Sequence, residues 1–244
     1  MSRTPIPPLG RDPDSPFPPA HRALAEPNGL LAFGGDLTPT RLLNAYAQGI
    51  FPWYLPGQPI LWWCPDPRPV FNTARVRPSS RLRRTLRGSA WTLRADTAFD
   101  EVVAACADTP RPGQDSTWIT PEMALAYGVL HQLGHAHSIE VFDGAVLVGG
   151  IYGVARGHMF FGESMFSGRS GGSKVALAGL AAFLHGRGCP WIDAQVGNPH
   201  LESLGCEYVP RPRFLATIAA LVAQAGPVGP WTEGFGERPV ASLA

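Results

Sequence analysis

The residues best placed to do chemistry lie in Ile192-Asp193-Ala194-Gln195-Val196, with Asn198 and His200 directly behind. Read as a buried strand over Pro190–Val196, this segment puts Asp193 and Gln195 on one face. A carboxylate and an amide side by side in an apolar setting are costly unless hydrogen-bonded, so the pair marks a candidate site. Gly162-Glu163-Ser164, at the end of another expected strand, could bring Glu163 close by. Such a set can orient a nucleophile, move a proton and stabilise an oxyanion. Other chemistries fail on their own patterns. His131 and His135 are four apart, but Gln132 replaces the glutamate of a zinc-protease helix, so no metal is expected and the histidines read as surface or capping groups. No G-x-S-x-G elbow occurs. The turn Gly168-Arg169-Ser170-Gly171-Gly172-Ser173-Lys174 opens a helix but departs from the phosphate-loop pattern at Val175. It begins like an acyl-CoA pyrophosphate turn, yet Lys174 stands at the last small-residue position.

The elements that must hold these residues are readable from caps and turns. Thr38, Pro39 and Gly49 bracket a helix with an apolar face of Leu42, Leu43, Tyr46 and Ala47. An Arg-rich helix runs from Ser80 to Arg87, another from Ala98 to Ala107, and a third starts at Thr120-Pro121 and ends near Gly134. The pattern then turns to strands: Ile139–Phe142, a hairpin at Asp143-Gly144, Val146–Val154, and His158–Phe161. A helix over Ser173–Leu184 follows, then the Asp193 strand, a short helix His200–Leu204, a strand near Cys206–Val209 and a helix Arg213–Ala223. This order predicts an α+β fold, with helices flanking a mostly antiparallel sheet.

The chain has 244 residues, of which 45% are hydrophobic, enough for a large core. Sixteen of its 26 prolines precede Ser79, and the first 25 residues read as an irregular, mobile surface arm. The longest apolar run, Val175 to Leu184, is too short to span a bilayer. No apolar signal segment opens the sequence, and Cys64, Cys106, Cys189 and Cys206 form no CxxC pair. A reduced cytoplasmic protein is expected, without metal or other cofactor and with no membrane partner. The net charge of +1 hides an uneven distribution. Pro67 to Ala95 holds eight arginines and no acid, so that stretch carries +8 and the remainder −7. Arg81, Arg83, Arg84 and Arg87 project from one short helix, in a form suited to a phosphate backbone.

Three blocks then resemble the leucyl/phenylalanyl-tRNA–protein transferase family. They are Gly34-Gly35-Asp36-Leu37 through Gly49-Ile50-Phe51-Pro52-Trp53-Tyr54 with Trp62-Trp63-Cys64-Pro65-Asp66-Pro67-Arg68; Thr117-Trp118-Ile119-Thr120 with Leu133–Glu140; and Phe161–Ser167 with Ser173-Lys174 and Asp193 to Gly205. The resemblance covers about Glu26 to Arg211. It implies an enzyme that takes Leu or Phe, and also Met, from charged tRNA. The residue passes to the α-amine of proteins beginning with Arg or Lys, creating a degradation signal. The implied architecture is a small N-terminal domain with its proline-rich arm (1–64), a GNAT-like catalytic domain (65–232) and a C-terminal tail (233–244), working as a monomer.

The resemblance also assigns roles. Asp193 polarises Gln195, which accepts the proton of the attacking amine; Asn198 donates to the ester carbonyl; Glu163 holds the ribose or the amine. Trp53 and Trp118 sandwich the terminal adenine. Tyr127, Ile151, Met165, Ser167, Leu177, Leu180 and Ile192 form the side-chain pocket, and Arg81 to Arg87 grip the tRNA backbone. Leu180 stands where the family often has phenylalanine, and Gly171-Gly172 where it often has Asn-Ala. The alternatives are an acyl-CoA-dependent N-acyltransferase and a non-catalytic tRNA-binding module.

Overall fold

The computed structural model describes residues 6–109, 117–226 and 228–244. Two sheets organise them. The smaller contains β1 (Pro8–Leu9), β2 (Leu30–Gly34), β3 (Phe51–Pro52) and β4 (Leu61–Trp63), in the order β1-β2-β4-β3, and carries α1 (Pro39–Ala47). The larger contains β5 (Arg68–Asn72), β6 (Thr92–Ala95), β7 (Ala136–Asp143), β8 (Val146–Arg156), β9 (Met159–Ser167), β10 (Trp191–Asp193), β11 (Glu207–Val209) and β12 (Arg238–Pro239). Its order is β11-β5-β10-β9-β8-β7-β6-β12, antiparallel except for the β9–β10 pair. The helices are α2 (Ser80–Leu86), α3 (Phe99–Asp108), α4 (Pro121–Gln132), α5 (Gly172–His185), α6 (Pro199–Ser203), α7 (Arg211–Val222) and α8 (Thr232–Phe235).

Side-chain caps open four of the eight α-helices described, α1, α2, α4 and α6. Thr38 accepts the Arg41 N–H with its hydroxyl and Thr120 that of Met123, each followed by a proline in the first turn. The long sheet separates two cores. One face packs against α1, α3, α4 and α7, with Tyr46, Val102, Tyr127, Phe161, Phe166 and Phe214 in one cluster. The other packs against α5 and the C-terminal segment, with Ile151, Phe160, Leu177, Leu180, Ile192 and Trp231 in a second. The architecture is α+β, and the layering is compatible with a GNAT-like arrangement.

The sheet is wider than the sequence pattern predicted. It recruits β5 and β6 from the arginine-rich stretch and β12 from residues 233–244, expected as a tail. The last residues are fastened: Val240 is fully buried, and Trp231 stacks on His137 at 3.9 Å. His137, read with His131 and His135 as a surface or capping group, is instead buried and bonded through Nδ1 to Asp96 (2.8 Å). Among the described residues no group of His, Cys, Asp and Glu is arranged to hold a metal, and no helix is long and apolar enough to cross a membrane.

The arm also differs from expectation. Residues 1–5 of it lie outside the described part, but the rest is anchored. The fully buried Arg41 donates from Nη2 to the carbonyls of Gly10 (2.9 Å) and Asp12 (2.6 Å) and pairs with Asp36. Phe17 packs edge-on against Trp62 at 4.9 Å. A single internal guanidinium thus satisfies carbonyls that an irregular segment would otherwise leave to water.

Candidate active site

Glu163 owes its position to a β-bulge. In the β8–β9 ladder, Gly153 pairs with Gly162 and Tyr152 with Ser164, so Glu163 is the extra residue. The bulge reverses the alternation of β9. Phe161 packs into the first core against Tyr46, whereas Met165, four residues on, packs against the second. An unbroken strand would put both on one face. Glu163 sits at the crossover and reaches across to the first core.

Three donors hold its carboxylate. Tyr46 on α1 donates to Oε1 (2.7 Å), Tyr127 on α4 to Oε2 (2.6 Å), and the Gln195 side-chain amide to Oε1 (2.6 Å). The two tyrosine hydroxyls also touch, at 2.7 Å. Burial is the largest influence on Glu163 and pushes its pKa up, to about 7, against the three hydrogen bonds that favour the carboxylate. Burial also raises both tyrosines well above their ordinary value, with the Glu163 charge adding to it.

Asp193 is held differently. β10 stops there, so the expected strand to Val196 is cut short, and Gln195 lies beyond it with φ of +60°. The shared face predicted for Asp193 and Gln195 is therefore absent. Asp193 Oδ1 accepts the Gln195 backbone N–H (3.0 Å), which fixes the left-handed turn. Arg68 grips the same carboxylate in a bidentate pair, Nε to Oδ1 and Nη2 to Oδ2, both at 2.7 Å. Both side chains are fully buried. The guanidinium lies between the rings of Phe51 (4.7 Å) and Phe214 (4.8 Å). Asn198 caps α6 by accepting the Leu201 N–H (3.0 Å), leaving its amide N–H groups at the exposed surface.

An apolar pocket opens beside these groups. Phe71, Ile151, Met165, Leu177, Ile192 and Leu201 form its walls, and Glu163 and Asp193 stand at its polar end. Four of the seven residues expected there, Ile151, Met165, Leu177 and Ile192, are brought together. Tyr127 reaches Glu163 from the opposite core. Leu180 is buried within α5 packing, and Ser167 caps the first turn of α5 by accepting the Ser173 N–H (2.9 Å). Phe71 and Leu201 were not anticipated; neither lies in a pattern that marks a pocket. Tyr46 and Arg68 were read respectively as core and as part of a basic surface.

The aromatic and basic residues are distributed around this centre. Trp118 is buried, and Trp53 is half-buried with its ring 5.6 Å from that of Trp63. The arginine stretch is not uniform. Arg68 is internal, Arg75 pairs with Glu207 and Arg94 with Glu237. Arg81 and Arg84 on α2, and Arg87 at its C-terminal cap, are exposed and, among the described residues, form no ion pair, while Arg83 is partly buried.

Comparison with known proteins places the chain in a family. Residues 70–219 match the family described as leucyl/phenylalanyl-tRNA protein transferase, and residues 35–66 match the N-terminal domain of that family. A leucyl/phenylalanyl-tRNA–protein transferase of Xanthomonas euvesicatoria pv. vesicatoria is 68% identical over 96% of this chain and 94% of its own length. That of Xanthomonas campestris pv. campestris is 65% identical over 100% and 98%, and that of Xylella fastidiosa 60% over 94% and 95%. With both segments matched and relatives this similar along nearly the whole chain, the protein belongs to the leucyl/phenylalanyl-tRNA–protein transferase family, a family of aminoacyltransferases.

Proposed function

We propose that this enzyme takes Leu or Phe, and also Met, from aminoacyl-tRNA and joins it to the N-terminal α-amine of proteins beginning with Arg or Lys. The product marks the protein for degradation. The observation that carries the reading is the apolar pocket with Glu163 and Asp193 at its polar end and Gln195 bonded to Glu163 behind it. An aliphatic or aromatic side chain fills the apolar part, which sets the ester carbonyl beside groups that can orient an amine. The adaptable thioether of Met165 suits a pocket that accepts branched, aromatic and thioether side chains.

The chemistry needs no energy source. An aminoacyl ester is activated, and its conversion to an amide runs downhill once the two substrates are held together. Asn198 donates from its exposed amide to the carbonyl oxygen as negative charge develops. The Gln195 amide nitrogen is turned to Glu163, so its oxygen is the group left to accept an N–H of the incoming amine. Trp53 and Trp118 flank the terminal adenine, and the exposed arginines of α2 hold the backbone without reading sequence. The enzyme works as a cytoplasmic monomer.

The test is transfer of leucine from leucyl-tRNA to a peptide beginning with Arg, followed by mass spectrometry. Formation of the Leu-extended peptide is expected. Absence of product under conditions where the charged tRNA binds refutes the reading, and tight coenzyme A binding would favour an acyl-CoA-dependent enzyme instead.

A further inference from the structure

Peptide-bond formation from an amine and an ester requires a group that takes one proton from nitrogen and returns one to the departing ribose oxygen. We propose that the ring formed by Glu163, Tyr46 and Tyr127, and not the Asp193–Gln195 pair, is that proton acceptor. The proposal rests on the function stated above.

The pair is unsuited by its contacts. Both Asp193 oxygens are taken by the Arg68 guanidinium, and Oδ1 also accepts the Gln195 backbone N–H, so this carboxylate is neutralised and turned to the backbone. The Gln195 side chain is a neutral amide that already donates its nitrogen to Glu163. Glu163 lines the pocket beside Asp193, but its donors, Tyr46, Tyr127 and the Gln195 amide, are all neutral.

Hydrogen counting sets the ring apart. Three oxygen–oxygen contacts close it: Glu163 Oε1 to Tyr46 (2.7 Å), Tyr46 to Tyr127 (2.7 Å), and Tyr127 to Glu163 Oε2 (2.6 Å). Each hydroxyl carries one hydrogen. With Glu163 ionised, two hydrogens fill the two contacts to the carboxylate and the Tyr46–Tyr127 contact has none. One further proton on Glu163 allows all three contacts to be filled in sequence around the ring, with no movement of heavy atoms. The ring therefore has room for one proton, the number the reaction must hold between its two halves.

The step balances. The amine lone pair attacks the ester carbon, the N–C bond forms and the carbonyl electrons move to oxygen. An N–H proton passes to the Glu163 carboxylate. The tetrahedral intermediate collapses, the C–O bond to ribose breaks, and the ring returns its proton to the ribose oxygen. The groups facing Glu163 are Tyr46 from α1, Tyr127 from α4, Gln195 beyond β10, the Asp193 charge on β10 and the Arg68 charge on β5. Tyr152 on β8 lies within electrostatic range of both ring hydroxyls.

Single-turnover transfer from leucyl-tRNA to an Arg-initiated peptide, measured against pH, tests the assignment. Glu163→Gln is expected to slow transfer by roughly 10²–10⁴-fold. Tyr127→Phe removes a hydrogen bond that favours the carboxylate, so the acid limb should move up by about one pH unit. A purely structural role would lower the rate without moving that limb. Infrared titration adds a readout independent of activity: a protonated carboxyl band should titrate near pH 7 and vanish in Glu163→Gln. If the wild-type protein binds charged tRNA but makes no product, the functional reading fails. If it transfers normally while the Tyr127→Phe limb stays in place, or the band is unchanged in Glu163→Gln, the ring assignment alone is overturned.

Discussion

Replacing Arg68 by Met removes the charge while keeping most of the side-chain volume. Arg68 and Asp193 are both fully buried and joined by two hydrogen bonds of 2.7 Å. The variant leaves Asp193 with its one remaining donor, the Gln195 backbone N–H, and with no countercharge. Breaking a buried pair in this way costs about 3–5 kcal/mol, and the loss of contact with the two flanking rings adds about 1 kcal/mol. A loss of about 4–6 kcal/mol lowers the melting temperature by roughly 8–24 °C in a chain of this size. The double variant Arg68→Met with Asp193→Leu has no buried charge and should regain most of the loss. Urea unfolding of the wild type and the two variants measures all of this. The reasoning is refuted if Arg68→Met stays within about 1 kcal/mol of wild type, a change too small for a broken buried pair, or if the double variant recovers none of the loss.

Glu163 gives a second pH signature. Its folded pKa of about 7 exceeds the unfolded value, so its contribution is present at acid pH and lost as pH rises towards 7. Wild type should therefore lose stability relative to Glu163→Gln over that interval, which urea midpoints at each pH will show. Gly149→Ala places a Cβ about 2.5 Å from the Gly172 backbone, where α5 crosses β8, and should cost about 1–3 kcal/mol or prevent folding, read by thermal denaturation. Trp118→Ala should weaken binding of the charged tRNA end by about 1–3 kcal/mol if it stacks on a base, measured by competition with uncharged minihelices. Arg84→Ala with Arg87→Ala should weaken tRNA binding and lower the slope of log affinity against log salt by roughly 2. An unchanged slope places the backbone contacts elsewhere.

What was legible in the sequence was local. Thr38-Pro39 and Thr120-Pro121 mark helix starts because a cap and its N–H partner lie three residues apart. The hairpin at Asp143-Gly144 is equally local, with Gly144 at φ of +60°. Features that depend on partners far along the chain were not visible. Arg68 counted as one of eight basic residues, but its role is set by Asp193, 125 positions later. The end of β10 at Asp193 depends on which strands flank it, and hydrophobic alternation continues past that point. Glu163 was recognised as a candidate, yet its bulge exists only in the pairing with β8, and Tyr46 gained its polar role only when α1 met α4. The arm was read as mobile because its composition is irregular, while the residue that fixes it, Arg41, lies on a helix that presents as amphipathic.

The bulge at Glu163 has a consequence for how the enzyme can diversify. The bulge shifts the alternation of β9, so Glu163 reaches the tyrosines of the first core while Met165 packs against the second, and the groups that hold the proton and the groups that define pocket shape are packed in separate cores. Met165 and Ile151 can then change size while Tyr46 and Tyr127 stay in place, and substitutions in the two sets should combine nearly additively. One inserted residue in a strand thus separates substrate choice from chemistry, so that selection can alter the first without rebuilding the second.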